Sequence, residues 1–247
     1  MDLTVNNHDI HKASLKHATL NGDAEIAEIA RVSNPSNQSN HATAPRLVRY
    51  LIRNNHWSPF QMVSCCIEVN TTRDIGRQIL RHLSAIGYQE FSGRYAEYDR
   101  LLPYRECRFQ HPTNRQLSNQ PETEEELRLV ADWNNYIEEK AEQDFDEYKY
   151  WLKRGVAKEV VRSVLPEGLV PTKMYLHFSL RTWLHYIAER TKEGVQEEHK
   201  IVALQCAEII KQEFPVAYEA FFPTEEEEEE PTAFLKIKRK VLAFLGL

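Results

Sequence analysis

No apolar run in the 247 residues approaches the roughly 18–20 that a membrane-crossing helix needs, and the opening stretch MDLTVNNHDIHK lacks the apolar core of a signal peptide. Neither a membrane protein nor a secreted mini-scaffold is expected. Cysteine is sparse, and Cys65, Cys66, Cys107 and Cys206 form neither a CxxC metal pattern nor a disulfide framework. The expected compartment is a reducing cytoplasm. Adjacent Cys65 and Cys66, inside the apolar run MVSCCIEV, read as strand filler. Positive charge is in deficit: 31 Lys and Arg against 37 Asp and Glu leave a formal charge of −6, which opposes a general coat on nucleic-acid phosphates. Glycine is down to eight residues, there is no internal repeat, and low complexity is confined to the run Glu225 to Glu230.

Hydrophobic residues at 42% and charged residues at 28% suffice for a buried core without disulfide or metal staples. Periodicity predicts a helix from Asp23 through Arg31 with Asp23 as its cap, then a loop over ARVSNPSNQSN. Leu47, Val48, Leu51 and Ile52 form a helical stripe before the turn HWSPF. Strands are expected over residues 62–70, about 88–92 and 174–180. Helices are expected over 73–83, 122–153, roughly 181–191 and 196–213, with a short one carrying Val160, Val161 and Val164. Strands and helices alternate without a regular βαβ rhythm. The fold class that follows is α+β, a mixed or antiparallel sheet flanked by helices, with a helical C-terminal extension. Residues 1–222 read as one catalytic-sized domain, 223–231 as an acidic solvated linker, and 232–247 as an amphipathic tail docking on the body or a neighbouring subunit.

Polar chemistry concentrates in TTRDIGRQILRHLSAIGYQEFSGRYAEY, residues 71–98. On the predicted helix 73–83, Arg73, Arg77 and Arg81 recur every four residues, and Gln78 and His82 form an i,i+4 pair. Glu90, Ser92, Gly93 and Arg94 follow. A glycine beside a hydroxyl and two guanidinium groups suits a phosphate held close to the backbone, with Arg gripping two oxygens at once. A solvated basic helix face followed by a strand is the plainer alternative.

This segment resembles the signature of the flavin-dependent thymidylate synthases, in which Arg-His-Arg and a following Ser are separated by seven residues. It stands here as Arg77-Gln78, Arg81-His82 and Ser92-Gly93-Arg94-Tyr95. Further blocks match in order: ARVSNP at 30–35, HWSPF at 56–60, VVRSVLP at 160–166, SLRTWLHYIAER at 179–190 and, more weakly, FPVAYEAF at 214–221. The chain departs from the pattern at Leu83, where the signature has Arg, and by one extra residue before Ser92, assigned to a loop Ser84–Gly87. Gly194 stands where the family often has His, and His185 where Asn is common.

The resemblance implies reductive methylation of dUMP to dTMP, with methylenetetrahydrofolate as carbon donor, FAD as redox cofactor and NADPH as reductant. It implies a nucleotide site of Gln78, Arg81, Glu90, Ser92, Gly93, Arg94, Arg162 and Arg190, with Arg190 as the catalytic residue that stabilises negative charge on the uracil ring. It implies a flavin site of His56, Ser58, Arg81, His82, Glu90, Ser179, Arg181 and His185, and a homotetramer whose active sites draw on several subunits. No metal is implied. No cysteine follows a proline, the context common in flavin-free thymidylate synthases, so a covalent thiol mechanism is disfavoured. Two other readings stay open: a C5-modifying enzyme acting on another pyrimidine nucleotide such as UMP, and a non-catalytic nucleotide- or flavin-binding protein. Without the resemblance, Arg190 reads as a surface charge pairing with Glu189 or Glu193, and His56 as a turn residue packing on Trp57.

Overall fold

The computed structural model describes residues 7–82, 85–102 and 105–223. Leu83, Ser84 and the segment 224–247, and with them nearly all of the expected acidic linker and the whole amphipathic tail, lie outside the described residues. A short helix α1 (Asn7–Ile10) leads into strand β1 (Lys12–Ala18), then helices α2 (Gly22–Ala30) and α3 (Ala44–Arg53). Strand β2 (Ser64–Thr72) runs without a connecting residue into α4 (Arg73–Ile79), and β3 (Ala85–Glu90) follows. A two-residue-per-strand hairpin, β4 (Phe109–Gln110) and β5 (Ser118–Asn119), precedes the long α5 (Glu124–Lys153) and the single turn α6 (Lys158–Val161). Strand β6 (Pro171–Ser179) again enters a helix directly, α7 (Leu180–Arg190), and α8 (Glu197–Glu213) and α9 (Pro215–Phe221) complete the described chain.

The main sheet has the order β1-β2-β6-β3 with every pair antiparallel. The fold is α+β, as the unpatterned alternation of elements predicted. Central strands β2 and β6 pair over their full length, Ser64 opposite Ser179 and Thr72 opposite Pro171. Period-two alternation in β6 turns Thr172, Met174, Leu176 and Phe178 to the helices and Lys173, Tyr175 and His177 outward. On that outer face the Glu68 carboxylate meets Lys16 at 2.8 Å and Lys173 at 3.4 Å. Those contacts, the Lys16 hydrogen bond foremost, hold Glu68 at a pKa of about 2. The helical layer buries Val48, Phe60, Ile75, Trp183, Val202, Cys206 and Phe214 against the inner face. A second, smaller core under α5 gathers Tyr98, Leu101, Tyr148, Val161 and Leu165, with the Tyr148 hydroxyl accepting from the Tyr98 amide at 3.2 Å.

Several boundaries differ from the expectation for identifiable reasons. The helix predicted over 73–83 ends at Ile79 because the chain tightens there, with the Arg81 amide bonded to the Gln78 carbonyl at 3.3 Å and the His82 amide to that of Ile79 at 3.1 Å. The strand expected at 88–92 begins at Ala85 and ends at Glu90. The interval Ser84–Gly87, expected to be a loop, is for its described part the start of that strand. Ile86 bulges between the pairs Ala85–Phe178 and Gly87–His177, which absorbs one residue without breaking the ladder. Strand β1 and helix α9 have no counterpart in the predicted elements. Asp23 does not cap its own helix, since Asn21 occupies that position with φ 50°. Instead its carboxylate accepts from the Val216 and Ala217 amides at 2.9 and 3.0 Å, capping α9 across a separation of more than 190 residues.

Replacing Asp23 by Ala removes both acceptors from the α9 amides and is expected to lower the unfolding free energy by about 1–2 kcal/mol. Urea titration followed by far-UV circular dichroism reads this directly; an unchanged midpoint contradicts the capping role.

Candidate active site

Helix α7 positions the first part of the site. Ser179 caps its start, accepting from the Thr182 amide at 3.3 Å, and the Trp183 indole donates to the Cys65 carbonyl at 2.9 Å. With the apolar stripe Leu180, Trp183, Leu184 and Ile187 buried, Arg190 in the last turn is directed to the turn that follows α4. There its Nε donates to His82 Nε2 at 3.0 Å. Among the described residues no carboxylate lies within ion-pair distance of Arg190; neighbouring Glu189 pairs with Lys192 at 2.6 Å. The surface ion pair with Glu189 or Glu193 is therefore not what the structure holds.

Burial, then the positive charge of Arg190, drives His82 down to a pKa of about 4. The imidazole is neutral at pH 7, and because Nε2 accepts from Arg190 its proton sits on Nδ1. Burial and the same arginine push the fully buried His199 down to about 3. His199 Nδ1 lies 3.2 Å from Gln78 Oε1, and Gln78 Nε2 donates to Gln196 Oε1 at 2.7 Å. Gln196 Nε2 donates in turn to Glu198 at 2.9 Å, and Arg108 closes the row with a 2.8 Å ion pair to the other Glu198 oxygen. Burial opposes ionisation of Glu198, but the Arg108 and Gln196 contacts outweigh it and keep its pKa below the usual carboxylate range. Gln78, Arg108, Arg190 and Gln196 line a cleft of about 970 Å³ between the β4–β5 hairpin and the start of α8, within the size range of small-molecule sites.

The remaining predicted residues fall into two other groups. Glu90, at the end of β3, accepts from Thr172 Oγ1 at 2.9 Å and sits 3.6 Å from Arg73. Ser92 and the buried Gly93 follow; a Cβ on Gly93 would collide with the Tyr98 ring, so the close approach requires glycine. Arg94 is exposed and pairs with Glu159 on α6 at 3.2 Å, and half-buried Arg162 begins the 3-10 turn after that helix. None of these five lines the cleft holding Gln78 and Arg190. The third group surrounds Trp57, whose ring packs against His185 at 5.4 Å and Phe221 at 5.6 Å. Arg181 lies one turn before His185, while exposed His56 packs on Tyr50 at 6.1 Å rather than on Trp57, and exposed Ser58 opens the next turn. Arg81 is exposed.

Three of the cysteine thiols are raised by burial, Cys65 to about 12 and Cys66 and Cys206 also upward, so none of them is a thiolate at neutral pH. Among the described residues no group of His, Cys, Asp and Glu is arranged to hold a metal ion. Sequence reasoning missed Arg108, Gln196, Glu198 and His199. A signal existed for one of them: His199 stands three, four and seven residues before Val202, Ala203 and Cys206, on the apolar face of α8, where a titratable group demands partners.

Residues 14–216 match the family described as thymidylate synthase complementing protein. A probable flavin-dependent thymidylate synthase of Paramecium bursaria Chlorella virus 1 is 42% identical over 173 residues, 70% of this chain and 78% of that protein. The flavin-dependent thymidylate synthase of Synechocystis sp. is 38% identical over 170 residues, 69% of this chain and 76% of its own. The structure is similar to that of a UMP/dUMP methylase, PolB from Streptomyces cacaoi, bound with 5-Br dUMP. That comparison gives a TM-score of 0.72 at 26% identity and covers 86% of this chain and 94% of that one. With 5-Br UMP bound, the TM-score is 0.71 at 25% identity, covering 86% and 93%.

Because His82 and His199 titrate far below the unfolded value of about 6.5, the unfolded chain binds more protons than the native one between about pH 6.5 and pH 4. Stability is expected to be level above about pH 7 and to fall as pH drops through this window, before the paired carboxylates contribute. Urea titrations at a series of pH values measure this, with His199→Gln expected to flatten the slope; a slope of zero between about pH 7 and pH 5 contradicts it.

Proposed function

The chain belongs to the thymidylate synthase complementing protein family, and from that premise we propose that it reductively methylates dUMP to dTMP. In the proposed reaction methylenetetrahydrofolate supplies the one-carbon unit and NADPH the reducing equivalents, yielding tetrahydrofolate and NADP⁺. The observation that carries this reading is Arg190: a guanidinium with no carboxylate in ion-pair distance among the described residues, held by a neutral histidine at the wall of a nucleotide-sized cleft. Such a cation gains most from negative charge that develops on a bound ring, here the uracil as C5 becomes nucleophilic. Arginine suits the task because it stays protonated throughout. His82 orients Arg190 without neutralising it. Protonated thiols at Cys65, Cys66 and Cys206 accord with a route that needs no cysteine nucleophile.

The donor set around Trp57 fits a flavin: Arg181 offers charge to a pyrophosphate, and His185, His56 and Ser58 offer exposed polar edges beside aromatic rings. Bound FAD would supply the two-electron redox chemistry. Glu90, Ser92, Gly93, Arg94 and Arg162 complete the proposed nucleotide site from another copy, in a homotetramer. Two features support that assembly. The two halves of the predicted nucleotide set do not share a cleft within one chain. Leu129, Trp133 and Tyr136 form an exposed stripe on α5, and Ile86 and Tyr88 are exposed on edge strand β3, apolar area that association would cover.

A second reading, methylation of UMP, is favoured by one observation: the similar PolB structures are of a UMP/dUMP methylase and hold 5-Br derivatives of both nucleotides.

The purified protein is expected to be yellow and to release tritium from 5-tritiated dUMP only when NADPH and methylenetetrahydrofolate are both present. Release from UMP but not dUMP moves the assignment to the second reading, and release from neither removes both. Arg190→Ala is expected to lower turnover by about 10²–10³-fold with the fold retained; loss of soluble protein would instead make Arg190 structural.

A further inference from the structure

We propose that Glu198 and Gln196 are positioning residues for the proposed uridylate cleft, acting through Gln78 to set which way its amide faces and which nitrogen of His199 carries the proton. This rests on the nucleotide reading of the cleft. An ionised carboxylate only accepts hydrogen bonds, so the atom of Gln196 facing Glu198 at 2.9 Å is its NH₂ group. Gln196 therefore turns its oxygen to Gln78, and Gln78 must offer its own NH₂ across the 2.7 Å contact. The Gln78 oxygen is then left facing His199 Nδ1 at 3.2 Å, which requires a proton on that nitrogen. Each link has one permitted sense, and the sense is dictated from Glu198.

Carboxamides and imidazoles ordinarily have two orientations or tautomers of similar energy. Here the choice is made by the ion pair of Glu198 with Arg108, both largely removed from water. Gln78 retains one N–H and one oxygen lone pair beyond this row, in a defined hand, on the wall of the cleft. His199 Nε2 is left as a bare, buried acceptor without a partner among the described residues. A ligand that meets Gln78 thus meets a preset donor and acceptor and not an amide free to turn.

The test uses the full-length protein labelled with ¹⁵N-histidine, with the His199 signals identified by their loss in His199→Gln. In the wild type, His199 is expected to be protonated on Nδ1 and bare on Nε2 at pH 7.5. Gln196→Met keeps the side-chain length and the Arg108–Glu198 pair but removes both amide contacts. It is expected to convert His199 to a mixture of tautomers and to raise KM for the turned-over uridine nucleotide about tenfold, one ordinary hydrogen bond, with kcat changed less. Glu198→Gln, which lets the terminal amide face either way, is expected to give the same mixed His199 spectrum should Gln196→Met not fold. A proton on Nε2 in the wild type overturns the proposal, as does a variant that leaves either the spectrum or KM at its wild-type value. Should the wild-type protein turn over no uridine nucleotide, the functional reading falls, and the nitrogen spectra alone then decide the relay.

Discussion

The pairing of β2 with β6 is the constraint on which the site depends. The two strands are antiparallel and in register over nine residues, about 30 Å, and each passes straight into a helix with no loop between. The helices therefore start from opposite ends of the pair and run toward each other, both packed on α8. Helix α7, with 11 residues, covers about 16 Å, and α4, with seven, about 10 Å. The end of α7 and the turn after α4 come together where Arg190 reaches His82. Shifting β6 by one residue would turn its buried set Met174, Leu176 and Phe178 outward. The core register and the arginine position are thus one decision.

What the meeting point achieves is a partly buried charge with no carboxylate within ion-pair distance among the described residues. Folding ordinarily neutralises buried cations with carboxylates, as Arg105 does with Asp74 at 2.8 Å and Arg108 with Glu198 at 2.8 Å. Arg190 is held by a neutral imidazole instead, and its field pushes both nearby histidines further toward the neutral form. The two paired arginines tie the 105–108 segment to α4 and α8, and Arg108 among them lines the cleft. Ion pairing is in this way given to two guanidinium groups and withheld from a third within the same region.

Much of this was legible in the chain. Alternation along 174–178 and the apolar stripe of α7 exposed the elements that carry Arg190, and the ordered blocks exposed the family. What local pattern does not encode is the partner of a side chain. Asp23 sits in the first turn of α2, where the sequence suggested a cap, yet its acceptors are used by amides nearly two hundred residues on. Strand β1 went unseen because its burial alternates poorly as an edge strand, Lys12, Leu15 and Lys16 being exposed. The early end of α4 follows from the need to reverse into β3, a tertiary demand with no glycine or proline to announce it. The row from Arg108 to His199 draws on the hairpin, α4 and α8, and no spacing rule joins them.

In the proposed assembly a nucleotide is gripped by Arg190 of one copy and Arg94 of another. Mixing two inactive variants, Arg190→Ala and Arg94→Ala, after dissociation and joint reassembly tests it most directly. In mixed assemblies some sites receive both native arginines, and nucleotide-dependent tritium release is predicted to reappear in the mixture though each variant alone lacks it. Mixed assemblies that form and remain inactive would contradict the shared site.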